Sequence, residues 1–423
     1  MHNRHARNTV RYYILFAVIL SFLFFSNDFG LIDVQKTAIV LAVGIDREED
    51  EFILTSQIAI PQSSTQGKAT QAVQLVSRGK TVADAFEEIN AKTGWYPKLV
   101  FCKLILLGEN TVKSDVFDSL DFFLRDEYLT DDCLVATCDD YAKNLLDTQA
   151  LVDPSSSVAI AKVLSDHAKR VGTVLPNSLR EFSMSYFGES KSGFLPVLKI
   201  TPQKEKVGEN GSSSEGSSGE NTGGSGNSSN QSSADSQSGG QGSNQGGQEE
   251  KSQEKAVFTA GETALFVKGK RVETLTEKET FAVNAVLNRL ELASYSVEKE
   301  GEFCTLSVKR SSPKLKFTVG REGQANLHIQ LTLTAGATDY SKSQPLDKIK
   351  DAGDVSAKTF SYAEKKLAGE ISTAFEKCKA CGCDLFRLQE RLVKYKHRRL
   401  SKYKDQILQN THAEISVRFE GVR

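Results

Sequence analysis

One compositional break limits what this 423-residue chain can fold into. From Gly208 to Lys255 it reads "GENGSSSEGSSGENTGGSGNSSNQSSADSQSGGQGSNQGGQEEKSQEK", with Ala234 as the only apolar side chain. A stretch with nothing to bury cannot offset the entropy of ordering it, so it is expected to be disordered. As a Gly/Ser-rich coil of about 48 residues it would span roughly 35–40 Å r.m.s.. Any packed structure must then come from the stretches on either side. The expected division is 1–31, a basic head with a membrane-directed segment; 32–202, an N-terminal domain; 203–255, the linker; and 256–423, a C-terminal domain that could subdivide into 256–300 and 301–423. Whether the tract is a functional tether or a tolerated loop insertion stays open at this level.

The head carries Arg4, Arg7 and Arg11 ahead of an apolar run from Tyr12 to Phe25, broken only by Ser21. About 14 helical residues rise roughly 21 Å, short of the ~30 Å hydrocarbon core of a bilayer. Phe29, Leu31 and Ile32 would extend the run past Ser26-Asn27-Asp28. The basic flank places the N-terminus in the cytoplasm and all that follows across the membrane. A cleaved signal peptide and a retained signal anchor both fit. No A-x-A-type cleavage site follows the run, which favours the anchor.

Over the whole chain the charges balance, with 53 Lys+Arg against 54 Asp+Glu. The chain has no global field to recruit nucleic acid or an acidic substrate. Before the tract, "KTAIVLAVGI" and "KLVFCKLILLGE" are apolar on both faces, as buried central strands are. "EFILTSQIAI" alternates, with Phe52, Leu54, Ile58 and Ile60 on one side. Thr81 is placed to cap a helix burying Val82, Ala85, Phe86 and Ile89, and Ser114 to start one burying Val116, Phe117, Leu120, Phe123 and Leu124. "DDCLVATC" supplies a further strand.

After the tract, "ETALFVKGKRVETL" reads as a hairpin about Lys268-Gly269-Lys270. Thr276 and Glu279 form a capping box for a helix to about Arg289. Alternating strands follow, with Cys304, Leu306 and Val308 on one face, then Leu327, Ile329, Leu331 and Leu333. A long helix over about 355–381 stacks Phe360, Ala363, Leu367, Ile371, Phe375 and Cys378, and Gly382 closes it. The last strand points Ile415, Val417 and Phe419 one way. The fold class expected is α+β in a multi-domain mixed α/β architecture. It has a mixed sheet in the N-terminal region and a C-terminal antiparallel sheet covered by the long helix.

These elements carry little that looks catalytic. "CKACGC" (Cys378, Cys381, Cys383) offers three thiolates, but a closed metal site needs a fourth ligand, and His397 is the nearest candidate. Cys378 falls on the apolar helix face, where free cysteine behaves as a small hydrophobe. Disulfides Cys381–Cys383 or Cys133–Cys138 stay open. His328 sits on the polar side of its strand and is expected to face solvent. The run "RLVKYKHRRLSKYK" (Arg391–Lys404) reads as a solvated basic face, with steering toward anionic lipid or an acidic partner as the sharper alternative. The chain has no G-x-S-x-G, no H-E-x-x-H and no Gly-rich loop between strand and helix. No catalytic, cofactor-binding or metal residue is assigned.

"AIVLAVGID", "LDFFLRDEYL", "GETALFVKGKRVETLTEKET" and "CDLFRLQERLVKYK…HAEISVRFEG", in this order, resemble the Ger(x)C family, the C subunits of the spore-germination nutrient receptors. The likeness covers nearly the whole chain outside the head and the Gly/Ser tract. It implies a non-enzymatic protein without cofactors, held on the outward face of the spore inner membrane. Its partners would be a multi-spanning A subunit and a transporter-like B subunit. Family members usually carry a lipobox cysteine after the apolar segment; here "SFLFFSNDFG" stands in its place and the first cysteine is Cys102. A lipid on a cysteine near the head is therefore not expected. The runner-up reading is an extracytoplasmic hydrolase or solute-binding protein.

Overall fold

A computed structural model of the chain describes residues 12–21, 37–59, 72–165, 168–202, 256–299, 302–340, 355–395 and 398–422. The stretch assigned to a linker, 203–255, lies outside them, as do Ile60 and His397. Residues 12–21 form a short helix, α1, with its side chains exposed.

The N-terminal half is built on β1 (Thr37–Glu48), β2 (Glu51–Ala59), β3 (Ala72–Gly79), β4 (Tyr96–Lys98), β5 (Leu104–Leu107), β6 (Leu134–Cys138), β7 (Asn177–Ser178) and β8 (Ser192–Pro202). Between them run α2 (Val82–Thr93), α3 (Glu109–Val112), α4 (Phe117–Arg125), α5 (Ala142–Asp147), α6 (Ser156–Val163), α7 (Ala168–Val171) and α8 (Leu179–Tyr186). Beyond the linker come the hairpin β9 (Ala256–Val267) and β10 (Lys270–Leu275), then α9 (Glu277–Val286). β11 (Ala293–Lys299), β12 (Glu302–Val319) and β13 (Ala325–Tyr340) precede the long helix α10 (Ala357–Cys381), α11 (Leu388–Tyr395), a 3-10 segment (Arg398–Gln406) and β14 (Thr411–Gly421).

The first sheet has the order β10-β9-β8-β6-β5-β1-β2-β3, with β4 beside β1 and β7 beside β6. β1, β5, β6 and β8 run parallel, flanked on both sides by antiparallel pairs. β5 shows why its sequence is apolar throughout: Ile105 and Leu107 enter the core on one face, Leu104 and Leu106 the core on the other. β9, which follows the Gly/Ser tract, pairs onto β8 and carries β10 on its other edge, so this sheet takes strands from both sides of the tract.

The second sheet has the order β11-β12-β13-β14. The antiparallel expectation holds for β11 to β13, but β14 runs parallel to β13. α10 and α11 form a crossover that returns the chain to the end where β13 starts, and such a crossover makes a parallel pair. α10 supplies Leu367, Ile371, Phe375 and Cys378 to one core with Leu327, Ile329, Leu331 and Leu333.

Three local expectations change. β2 buries both faces, including Thr55, Ser56 and Gln57; Gln57 is satisfied there, its Nε2 donating to Ser156 Oγ (3.1 Å) and its Oε1 accepting the Ser157 amide (3.1 Å). α4 begins after Val116, and Asp115, not Ser114, caps its first turn by accepting the Phe117 amide at 3.0 Å. Leu124 stays 38% exposed in the last turn of α4, with no following turn to cover it.

Candidate functional site

The carboxyl ends of β1 and β5 gather the most polar part of the N-terminal half. β1 ends on Asp46-Arg47-Glu48, and β5 gives way to Gly108-Glu109. Asp46 is buried, and both its oxygens are taken by the first amides of α5: Ala142 N donates at 2.7 Å and Lys143 N at 3.1 Å. A carboxylate at a helix N-terminus suits both the free N–H groups and the dipole. Burial nevertheless pushes its pKa up to about 6, against those two hydrogen bonds and with Asp140 and Glu48 nearby. The cavity beside it, lined by Asp46, Arg47, Glu109, Asn110, Asp140 and Tyr141, is about 30 Å³, the scale of one water. Outside it a charged groove runs past Arg47, Glu48 and Arg78, whose side chains pair with Asp118 (3.6 Å) and with each other (Arg78–Glu48, 3.3 Å). Asp46 thus holds the first turn of α5 through both of its oxygens.

A second cavity, about 350 Å³, lies where α9 meets the N-terminal half. Part of its polar lining is used by the junction itself, while Asn177 Oδ1 and Asn284 Oδ1 are buried there with no hydrogen-bond partner. Asn284 Nδ2 donates to the carbonyls of Gly172 (2.8 Å) and Val174 (2.9 Å). Arg289 donates to Pro176 O (2.9 Å), pairs with Glu181 (3.2 Å) and lies over the Phe194 ring.

The "CKACGC" cysteines do not converge. Cys378 is buried on the apolar face of α10, Cys381 Sγ turns back to the Cys378 carbonyl, and Cys383 Sγ points at Gly193 O and Phe266 O. Among the described residues no group of three His, Cys, Asp or Glu side chains is placed to hold a metal ion. All seven cysteines are free. Cys133 immediately precedes β6 and Cys138 ends it, too far apart along an extended strand to bridge. Next to Cys383, Asp384 takes up the Ser192 hydroxyl through its amide (3.0 Å) and caps α11 with its carboxylate at Leu388 N (2.8 Å) and Gln389 N (2.7 Å). The motif is a joint between the C-terminal core and β8.

His328 lies in register with Glu414 across β13 and β14, its Nδ1 2.8 Å from the Glu414 carboxylate, so it is partly buried and paired rather than simply solvent-facing. In the basic run, Lys404 pairs with Glu189 (2.7 Å) and Lys402 lies over Tyr403. None of this assembles a nucleophile, base and oxyanion donor in one place.

Two family models match the chain in tandem: the spore germination protein N-terminal domain over residues 31–200, and the spore germination B3/GerAC-like C-terminal domain over residues 261–421. The chain belongs to the Ger(x)C family. A comparison with curated proteins finds no match. Among solved structures, the crystal structure of the GerBC protein has the same fold, with a TM-score of 0.51 at 16% identity, covering 90% of this chain and 97% of that one.

On this Ger(x)C protein, one surface was missed by the sequence reading. Trp95, Tyr96, Val100, Phe101 and Tyr128 are all exposed. "GWYP" opens on Gly94, the left-handed cap of α2, so the aromatics Trp95 and Tyr96 that come after it fall off the periodic helix stripe. That position, just past a helix stop and outside any alternation, was the available signal.

Proposed function

We propose that this Ger(x)C protein is the C subunit of a spore nutrient receptor. In this reading it acts by binding other proteins, with no chemistry of its own. The two tandem family matches, in order and spanning both sides of the Gly/Ser tract, carry the reading. The side chains of Asp46 and Asp384, which cap helices, and of Asn284 and Arg289, which donate across the junction of the two halves, fit a structural use of these polar groups. The chain would sit on the extracytoplasmic face of the spore inner membrane beside its multi-spanning A and transporter-like B subunits, coupling nutrient sensing to germination.

The apolar segment from Tyr12 would remain as a signal anchor. Among the described residues no helix is long and apolar enough to cross a membrane. Affinity purification of the tagged full chain from detergent-solubilised spore membranes tests the assignment. Stoichiometric recovery of two polytopic proteins is expected; recovery of this chain alone would overturn it.

A further inference from the structure

Four exposed aromatics of the N-terminal half, Trp95, Tyr96, Phe101 and Tyr128, lie on or around β4, the short strand that pairs with the first residues of β1. Tyr96 lies in register with Thr37, the first residue of β1, and Trp95 precedes it. The turn after β4 is held by the Cys102 amide donating to Leu99 O at 2.9 Å, with Leu99 and Cys102 buried beneath it. Those two inward anchors force Val100 and Phe101 outward. Across the surface, Lys98 Nζ stands 4.3 Å from the centre of the Tyr128 ring, tying Tyr128 into the same patch. Trp95 is 44% exposed, Tyr96 40%, Phe101 55% and Tyr128 52%. Tyr96 is displayed from a paired strand, Trp95 from the residue before it, Phe101 from the closed turn, and Tyr128 from the bend after α4, where Asp126 Oδ1 accepts its amide at 2.8 Å. Nothing within the described fold covers them.

Chain connectivity points to what does. The apolar helix α1 is exposed over its whole described length, and Thr37 follows it after residues 22–36. Fifteen residues can separate α1 from Thr37 by no more than about 55 Å, whatever path they take. The patch therefore sits beside the very residue through which the apolar segment holds the domain. Trp and Tyr, with lysines whose stems lie along apolar surface, are the composition of the membrane–water interface. The nearby charges do not add up to a basic face, since Lys103 pairs with Asp132 and Arg180 with Asp131. Attraction to anionic headgroups is thus not the driving term; burial of aromatic surface is.

We propose that the Trp95–Tyr96–Phe101–Tyr128 surface rests in the interfacial layer of the lipid bilayer and sets the orientation of the protein on its membrane. This rests on the membrane-anchored reading above. It leaves the opposite, carboxyl ends of β1 and β5, with their charged groove, facing away from the lipid.

Trp95 is the only tryptophan in the chain, so its emission reports on this surface alone. The full chain, reconstituted in phosphatidylcholine vesicles, should show blue-shifted Trp95 emission. Replacing the lipid with its chain-brominated form should quench that emission by half or more. The double change Phe101→Asp, Tyr128→Asp should abolish the quenching and leave the melting temperature unaltered, because both side chains are exposed. Vesicle-bound protein whose Trp95 emits as in water and ignores brominated lipid would overturn the proposal. So would shielding from acrylamide that appears only when the A and B subunits are reconstituted alongside, which would make the patch a protein interface. Failure to co-sediment with vesicles at all would instead remove the anchored reading on which the proposal stands.

Discussion

Lys377 Nζ lies 2.8 Å from Glu279 Oε2, and the same oxygen accepts the Thr276 amide at 2.8 Å. One carboxylate therefore closes the N-terminal cap of α9 and fastens α10 to it. Burial alone would raise the Glu279 pKa, but the hydrogen bonds from Lys377 and Thr276 outweigh it and hold the carboxyl below its ordinary value.

Lys377→Ala should cost about 1–3 kcal/mol, the range for leaving a buried charged acceptor short of a donor. The sign with pH follows from the lowered value: the contribution is present above the ordinary carboxylate range and lost as pH falls through it. Urea denaturation at pH 7 and pH 3.5 checks this. The gap between wild type and variant should shrink at the lower pH.

Asp46 should behave in the opposite sense. Its folded value of about 6 lies above the ordinary 3.8, so the folded protein holds that proton more tightly than the unfolded chain. Stability linked to it is full below the ordinary value, falls as pH rises toward about 6, and is flat beyond. Asp46→Asn removes the titration while keeping one acceptor for α5. Denaturation midpoints between pH 4 and 6.5 should slope less in the variant than in the wild type; equal slopes would show that Asp46 does not titrate there.

Gly108→Ala tests the close approach that buries Asp46. A β-carbon there would stand 1.9 Å from Asp46 Oδ1, with the Ala142 amide also near. Neither can withdraw without breaking the α5 cap. Overpacking of this kind typically costs about 1–3 kcal/mol. A thermal melt of Gly108→Ala should fall by several degrees, while Gly369→Ala, whose β-carbon meets nothing within 4 Å, should be neutral or stabilising.

Phe375→Ala should cost about 3–5 kcal/mol, since the ring is fully buried in the core under α10 and packs on Phe386 at 5.5 Å. The comparison residue is the exposed Lys365, whose change to alanine should move stability by less than about 0.5 kcal/mol. Its neighbour Lys366 is not neutral ground: it donates to Ser296 O and lies over Tyr295. The measurement belongs on the full chain, because β9 and β10 complete the first sheet and would be stranded in a 256–423 fragment.

The cysteines should be nearly inert to a thiol reagent in the folded protein. Six of the seven are buried, and burial raises the thiols of Cys138, Cys378 and Cys383. Cys381, half-buried at the end of α10, should label first, and all seven should label in denaturant. Rapid labelling of Cys378 or Cys383 without denaturant would show that the joint to β8 opens readily.

Local rules were enough to read much of this protein from its sequence. The caps at Thr81, Thr276 and Gly382 lie where residue chemistry places them, because a cap depends only on the residues of one turn. The stripe Leu367–Ile371–Phe375 and the alternation Leu327–Leu333 follow from helix and strand periods, which need no partner to be read. The family resemblance rested on stretches of this kind. Partnership across long separations was decided only by the tertiary structure. β9 joins β8 across the Gly/Ser tract, and β14 lies parallel to β13 after a two-helix crossover. Both depend on which backbone edges are left open once the rest has packed. Asp46 and Lys377 looked like ordinary charged residues; Asp46 has its role because α5 arrives 96 residues later, and Lys377 because α10 crosses Glu279, 98 residues earlier. The aromatic patch around Trp95 was hidden for the same reason: whether an apolar side chain is covered depends on what the finished fold leaves beside it, and here it leaves nothing.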